Sequence, residues 1–130
     1  MNHELKQFYG DIIIAGIECG GWVTSWASLS RYGFAGVEPD EIEVEIGELD
    51  EGMDDLIAPP IINIGTVAKG YDVLIDTMKS DWDGSRDIGL HSSYIGNCLA
   101  ALVDKDAGEI DTELASYIIQ LGLFGKVIYG

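Results

Sequence analysis

Residues 41–46 read Glu-Ile-Glu-Val-Glu-Ile, a strict alternation of carboxylate and aliphatic side chains. Successive side chains of a β-strand point to opposite faces of a sheet, so this period of two predicts a half-buried strand with its glutamates in solvent. A second period of two runs from Trp22 to Tyr32, and residues 61–64 form a short apolar run behind Pro59-Pro60. Three strands are therefore predicted between about residues 22 and 64.

Outside this region the apolar residues recur at steps of three and four, as on one face of a helix. Four segments show this period: His3–Cys19, the stretch after Thr66, Ile88–Val103 and Thr112–Leu123. Asn2 and Thr66 are the predicted N-caps of the first two. Strands grouped together with helices on either side predict an α+β fold. We expect a three-stranded antiparallel sheet packed against an N-terminal helix and two or three C-terminal helices.

The composition limits the function classes. The chain has 130 residues, of which 47% are hydrophobic, and this predicts a single domain, residues 1–130, with its own core. It has no apolar run of about 18 residues, which excludes a membrane span, and no basic region precedes Ile12–Ile17 as in a secretory signal. Its 23 Asp+Glu against 7 Lys+Arg give a formal net charge of -16. That charge argues against direct binding to nucleic acid or to anionic lipid, which both require basic side chains.

The cysteines and histidines form no recognisable catalytic or metal motif. Cys19 and Cys98 stand in apolar segments, which favours reduced core thiols, and a disulfide between them is left open. Neither cysteine lies at zinc-binding spacing from His3 or His91. His91 and Cys98 would lie two helical turns apart, too far for a nucleophile–base pair. We therefore predict no cofactor, no metal and no enzyme activity.

The most unusual feature of the composition is an acidic run. Residues 38–55 hold ten carboxylates and no basic residue. Alternate side chains on a strand are about 6.6–6.8 Å apart, close to the spacing of phosphates along a DNA strand. A ladder of Glu41, Glu43 and Glu45 could thus imitate DNA and occupy the basic groove of a nucleic-acid-handling or defence protein. The other interpretation is a solvated face that keeps the protein soluble. The predicted partner-binding residues are Glu41, Glu43, Glu45, Glu48, Asp50, Glu51, Asp54 and Asp55.

A second hypothesis concerns the glycines and aromatic residues that follow the first helix. Glycine lets a ligand approach the backbone closely, aromatic rings stack on planar groups, and arginine binds phosphate. A small-molecule site for a nucleotide is the alternative function, and the other interpretation is that both tryptophans fill the core. The predicted ligand-binding residues are Gly20, Gly21, Trp22, Trp26, Arg31 and Tyr32.

The C-terminal segment Phe124–Gly130 is short and apolar. It can dock on the core, add a strand to the sheet, or pair with another chain. The last possibility is the third functional hypothesis, a structural or virion-associated oligomer.

Two segments carry a resemblance to a known family. Ile14-Ala-Gly-Ile-Glu-Cys-Gly-Gly-Trp-Val-Thr-Ser-Trp-Ala27 resembles the Glu-Gly-Gly…Trp-Ala pattern near the start of small uncharacterised bacteriophage proteins. Asp106-Ala-Gly-Glu-Ile-Asp111, followed by Phe124-Gly-Lys-Val-Ile-Tyr-Gly130, resembles the ending of the same proteins. The resemblance implies no activity. It implies a phage accessory gene expressed in a bacterial cytoplasm, where small acidic phage proteins often counter host defences.

Overall fold

The computed structural model describes residues 1–18, 20–31, 33–34, 36–80 and 88–130, with the backbone alone at positions 31 and 80. The predicted α+β class is confirmed, since the described residues form one three-stranded antiparallel sheet and four α-helices. In chain order the elements are α1 (His3–Ile17), a 3-10 turn (Trp22–Ser25), β1 (Ala27–Arg31), a 3-10 turn (Pro39–Glu41), β2 (Val44–Leu49), β3 (Ile61–Ile62), α2 (Ile64–Ser80), α3 (Ser92–Asp104), a 3-10 turn (Ala107–Glu109) and α4 (Thr112–Phe124).

The sheet has the strand order β1-β2-β3, and two register shifts break the pairing of β1 with β2, one of them a bulge on β2. Ser28 pairs with Glu48 and Leu29 with Ile46, so Gly47 is the extra residue on β2. The core face of β2 carries Val44, Ile46 and Leu49, all buried. Glu45 and Glu48 are exposed on the same strand, so one face of the sheet covers the core and the other carries carboxylates.

Helix α4 is the centre of the fold. Every residue from Leu114 to Phe124 is buried, so the helix is enclosed on all sides although its sequence also shows a helical apolar period. Two glycines bring α2 and α4 close together: Gly70 lies against the carbonyl of Ile118, and Gly122 against that of Thr66. A side chain at either glycine would hold the two helices apart, because no Cβ fits against the facing backbone.

The predicted strand over residues 22–32 is wrong in its first part. Residues 22–25 form a 3-10 turn, and β1 begins at Ala27. The hydroxyls of Thr24 and Ser25 donate to backbone carbonyls three residues earlier, at 2.7 Å and 2.6 Å. Such local bonds give the backbone an alternative to pairing in a sheet. Tyr32, the predicted end of this strand, lies outside the described residues.

Two other boundaries are corrected. Glu41 lies in the 3-10 turn that starts at Pro39, so β2 begins at Val44 and not at residue 41. Helix α2 begins at Ile64, and its cap is Asn63, whose side-chain oxygen accepts from the Thr66 amide at 3.1 Å. The bond is reciprocal, because the Thr66 hydroxyl oxygen accepts from the Asn63 amide, also at 3.1 Å. The predicted cap at Asn2 is confirmed, since its side chain accepts from the Leu5 amide at 2.8 Å.

The C-terminal segment docks on the core of its own chain. The side-chain oxygen of Gln120, fully buried in α4, accepts from the amides of Ile128 and Tyr129, both at 2.8 Å. Its nitrogen donates to the Tyr129 carbonyl at 2.9 Å. The Tyr129 ring stacks on Trp26 with centroids 5.1 Å apart. A buried glutamine thus supplies the bonds that a neighbouring strand would otherwise make.

Candidate functional site

The carboxylates of residues 38–55 form one candidate site, called here the acidic surface. All ten are exposed, and they are Glu38, Asp40, Glu41, Glu43, Glu45, Glu48, Asp50, Glu51, Asp54 and Asp55. The fold explains the exposure, because the residues that alternate with the first glutamates, Ile42, Val44 and Ile46, are buried. Burying those apolar side chains forces the carboxylates between them into solvent.

The side chains that the structure describes compensate little of the charge of the acidic surface. Among the described side chains one ion pair reaches it, between Lys6 Nζ and Asp40 Oδ2 at 3.3 Å. Both partners are partly exposed, and a pair of this kind contributes little stability. Ten acidic and no basic residues leave the segment with a formal charge of -10. Such a density of like charge creates a strong local negative potential.

The predicted three-step ladder on a single strand is wrong in its geometry. Of Glu41, Glu43 and Glu45, only Glu45 lies in β2. Proline fixes its own φ and lacks an N–H, and the turn at Pro39 closes with the Glu41 amide donating to the Glu38 carbonyl at 2.9 Å. The carboxylates are therefore distributed over a turn, the strand and a loop, with the bulge at Gly47 between Glu45 and Glu48.

A second candidate site is an open cleft of about 440 Å³ beside the turn that follows α1. This volume lies within the range of small-molecule clefts, about 300–1,000 Å³. Its lining residues are Gly20, Gly21, Trp22, Thr24, Ser25 and Gly130. Three of the predicted ligand-binding residues, the two glycines and Trp22, are thus brought together at one cleft.

The other predicted ligand-binding residues do not line it. Trp26 is 2% exposed; its Nε1 donates to Ser116 Oγ at 2.9 Å, so it belongs to the core. Trp22 is 38% exposed. The two tryptophans thus differ in role, and the interpretation that both fill the core holds for Trp26 alone. The Arg31 side chain and Tyr32 lie outside the described residues.

Trp22 is held in place from the far end of the chain. Its backbone amide donates to Thr112 Oγ1 at 2.9 Å, and its ring stands at 87° to that of Tyr117 with centroids 6.3 Å apart. Tyr117 in turn donates to Glu113 Oε2 at 3.0 Å. Burial, and then the bond to Glu113, raise the pKa of Tyr117 to about 12.

Cys98 and His91 have structural roles. Cys98 is a free thiol with no exposed surface, and its burial raises its pKa to about 12. A thiol must ionise to act as a nucleophile, so this environment makes it inert. His91 caps α3, its Nδ1 accepting from the Ser93 amide at 3.2 Å. Among the described residues no group of three or more His, Cys, Asp or Glu could hold a metal ion. Cys19 lies outside the described residues.

Sequence reasoning missed Thr24, Ser25 and Gly130 as lining residues of the cleft. The pair Thr24-Ser25 after Gly-Gly is itself a turn signal, because hydroxyls favour local backbone bonds. Gly130 carries no such signal, since the docking of the C-terminal segment brings it there.

Comparisons with protein-family models, with curated proteins and with solved structures find no match. Over the described part of the chain, no helix has both the length and the apolar character needed to cross a membrane.

Proposed function

We propose that this chain is a non-enzymatic phage accessory protein that acts in the bacterial cytoplasm. In this proposal the acidic surface binds the basic groove of a host defence or DNA-handling protein and excludes nucleic acid from it. The observation that carries the proposal is the exposure of all ten carboxylates of residues 38–55, with one ion pair among the described side chains. A basic groove gains affinity for such a surface by releasing counterions, as it does on DNA.

The distribution of the carboxylates over several elements bears on the mode of imitation. A basic groove that binds DNA reads charge over a surface, and phosphate contacts fix position without reading sequence. The carboxylates lie on the turn at Pro39, on strand β2 and on the loop after Leu49, and so are not evenly spaced along one strand. We therefore propose imitation of the charge density of DNA, without a phosphate-by-phosphate register.

The test is capture of basic nucleic-acid-binding proteins from bacterial lysate, with Glu43, Glu45 and Glu48 changed together to lysine. The wild-type protein should retain such proteins at low salt, release them at high salt and lose them to added duplex DNA. The triple variant should retain none. The matched control changes Glu4, Glu18 and Glu109 to lysine, since these exposed carboxylates lie outside the acidic surface and give the same change in net charge. Equal loss of the captured proteins in both variants would show that only the net charge matters. Retention of these proteins by the variant at Glu43, Glu45 and Glu48 would refute the proposal.

A second proposed function is sequestration of a small molecule, for which the sequence suggests a nucleotide signal. The specific observation in its favour is the cleft at Trp22. Titration of the protein with candidate ligands, followed by tryptophan fluorescence, tests it directly. Loss of the response in Trp22→Ala is the expected result.

The third proposal, an oligomer formed through the C-terminal segment, has less support. Ile128 and Tyr129 already bond to Gln120 of their own chain. The segment would have to leave this position to pair with another chain. A mass measurement in solution for the whole chain and for a variant without residues 127–130 tests the idea, and a monomer in both cases would refute it.

A further inference from the structure

The chemistry of the cleft at Trp22 restricts what it can bind. One wall is the half-exposed indole, set perpendicular to the Tyr117 ring. In a perpendicular pair the edge of one ring meets the face of the other, so at least one indole face is left uncovered by Tyr117. Anchoring of the Trp22 amide to Thr112 fixes the backbone that carries this face. The cleft therefore offers a positioned surface on which a planar ligand can stack.

The two hydroxyl side chains of the cleft act as hydrogen-bond acceptors. The Thr24 hydroxyl donates to the Gly21 carbonyl at 2.7 Å, and the Ser25 hydroxyl to the Trp22 carbonyl at 2.6 Å. A hydroxyl has one hydrogen and two lone pairs, so both side chains have used their donor and keep acceptor capacity. A ligand that bonds these two hydroxyl oxygens must supply N–H or O–H groups. An ionised phosphate supplies acceptors only.

The electrostatics point in the same direction. None of the lining side chains that the structure describes is charged, and the chain has a net charge of -16. A phosphate placed here would meet no counter-charge from these residues and would be repelled by the net charge of the protein. An uncharged ligand has no net charge for that field to repel.

We infer that the cleft binds an uncharged planar heterocycle that carries N–H donors and has the size of a nucleoside, and not a phosphorylated nucleotide. This inference rests on the second proposed function, that the cleft binds a small molecule, and names the ligand class. It is independent of the acidic surface.

The experiment titrates the full chain with adenosine and guanosine and, in parallel, with their 5′-monophosphates, by tryptophan fluorescence and by calorimetry. The nucleosides should quench fluorescence with an affinity that does not change with salt, and each monophosphate should bind at least about tenfold more weakly at low salt. Trp22→Ala should weaken nucleoside binding by about tenfold or more, the effect of removing a stacking partner from a base. Trp22→Phe keeps an aromatic face, so its affinity for the nucleosides should lie between those of the wild type and of Trp22→Ala. Ser28→Ala, on the exposed part of β1, is the control without effect.

The outcomes separate the inference from the function on which it rests. Tighter or equal binding of the monophosphates would overturn the inference and keep a small-molecule function. No binding of either class would overturn both. Unchanged binding in a folded Trp22→Ala would place the ligand elsewhere and refute the assignment to this cleft.

Discussion

The close crossing of α2 and α4 makes Gly122→Ala the most informative stability variant. A Cβ at Gly122 would overlap the carbonyl oxygen of Thr66 and would lie 2.9 Å from both the carbonyl carbon and Cγ2 of that residue. The obstruction is mainly backbone, which cannot rotate away as a side chain can. The two helices would have to separate, and they share more contacts than any other pair of described elements.

The magnitude follows from two opposed effects. Overpacking a core costs about 1–3 kcal/mol, and a backbone obstruction belongs at the upper end of that range. Replacing glycine by alanine inside a helix returns about 1 kcal/mol. We expect Gly122→Ala to lower the free energy of unfolding by about 2 kcal/mol and Tm by about 8 °C.

The matched control is Gly96→Ala, in the interior of α3. A Cβ at Gly96 meets nothing within 4 Å, so only the helix-propensity gain applies there, about 0.5–1 kcal/mol in favour of the variant. Urea unfolding followed by far-UV circular dichroism measures both variants. Equal stabilisation by the two substitutions would refute the close crossing of α2 and α4.

Three further predictions concern buried polar groups. Gln120→Leu should lower the free energy of unfolding by about 1–3 kcal/mol, because it leaves two partly buried amides of the C-terminal segment without an acceptor. Urea unfolding measures the loss, and rapid carboxypeptidase digestion of the variant, but not of the wild type, shows that the segment is released. Cys98 should resist a thiol reagent at pH 8 in the native protein and react fully in urea. In the fold its pKa is about 12, so almost none of it is thiolate at pH 8. Rapid labelling of the native protein at this residue would contradict its burial. The pKa of Tyr117 is raised from 10.0 to about 12, so the folded protein binds the phenol proton more tightly than the unfolded chain does. The stability that this difference contributes is therefore complete below pH 10 and is lost as the pH rises towards 12. Tyr117→Phe should therefore lose less stability than the wild type over that interval, as measured by thermal unfolding.

Several elements could be predicted from local pattern because local forces decide them. The period of α4 and the capping side chain of Asp111 before it lie within a few residues of each other, and the helix forms at Thr112–Phe124 against a predicted Thr112–Leu123. The alternation over residues 41–46 correctly gave the buried and exposed faces. It gave the wrong start of the strand, because a turn that begins at Pro39 can continue the same alternation of exposure into β2.

The cleft could be predicted only in part. The two glycines and Trp22 stood out in the sequence, and the structure places them together. Trp22 and Trp26 share the period of two that predicted a strand, which puts them on one face. They take opposite roles because each is positioned by its own hydrogen bond to a residue ninety positions away. Trp26 bonds to Ser116, and Trp22 bonds to Thr112.

The sequence by itself determined the fold class and the exposure of the acidic surface. Side-chain period reports the faces of helices and strands, and ten carboxylates in a segment without a basic residue cannot be buried at an acceptable desolvation cost. The tertiary structure alone decided that α4 is enclosed on all sides, that Gln120 holds the C-terminal segment, and that Trp26 is in the core while Trp22 lines a cleft. These features depend on contacts between distant parts of the chain, and no local pattern records such contacts.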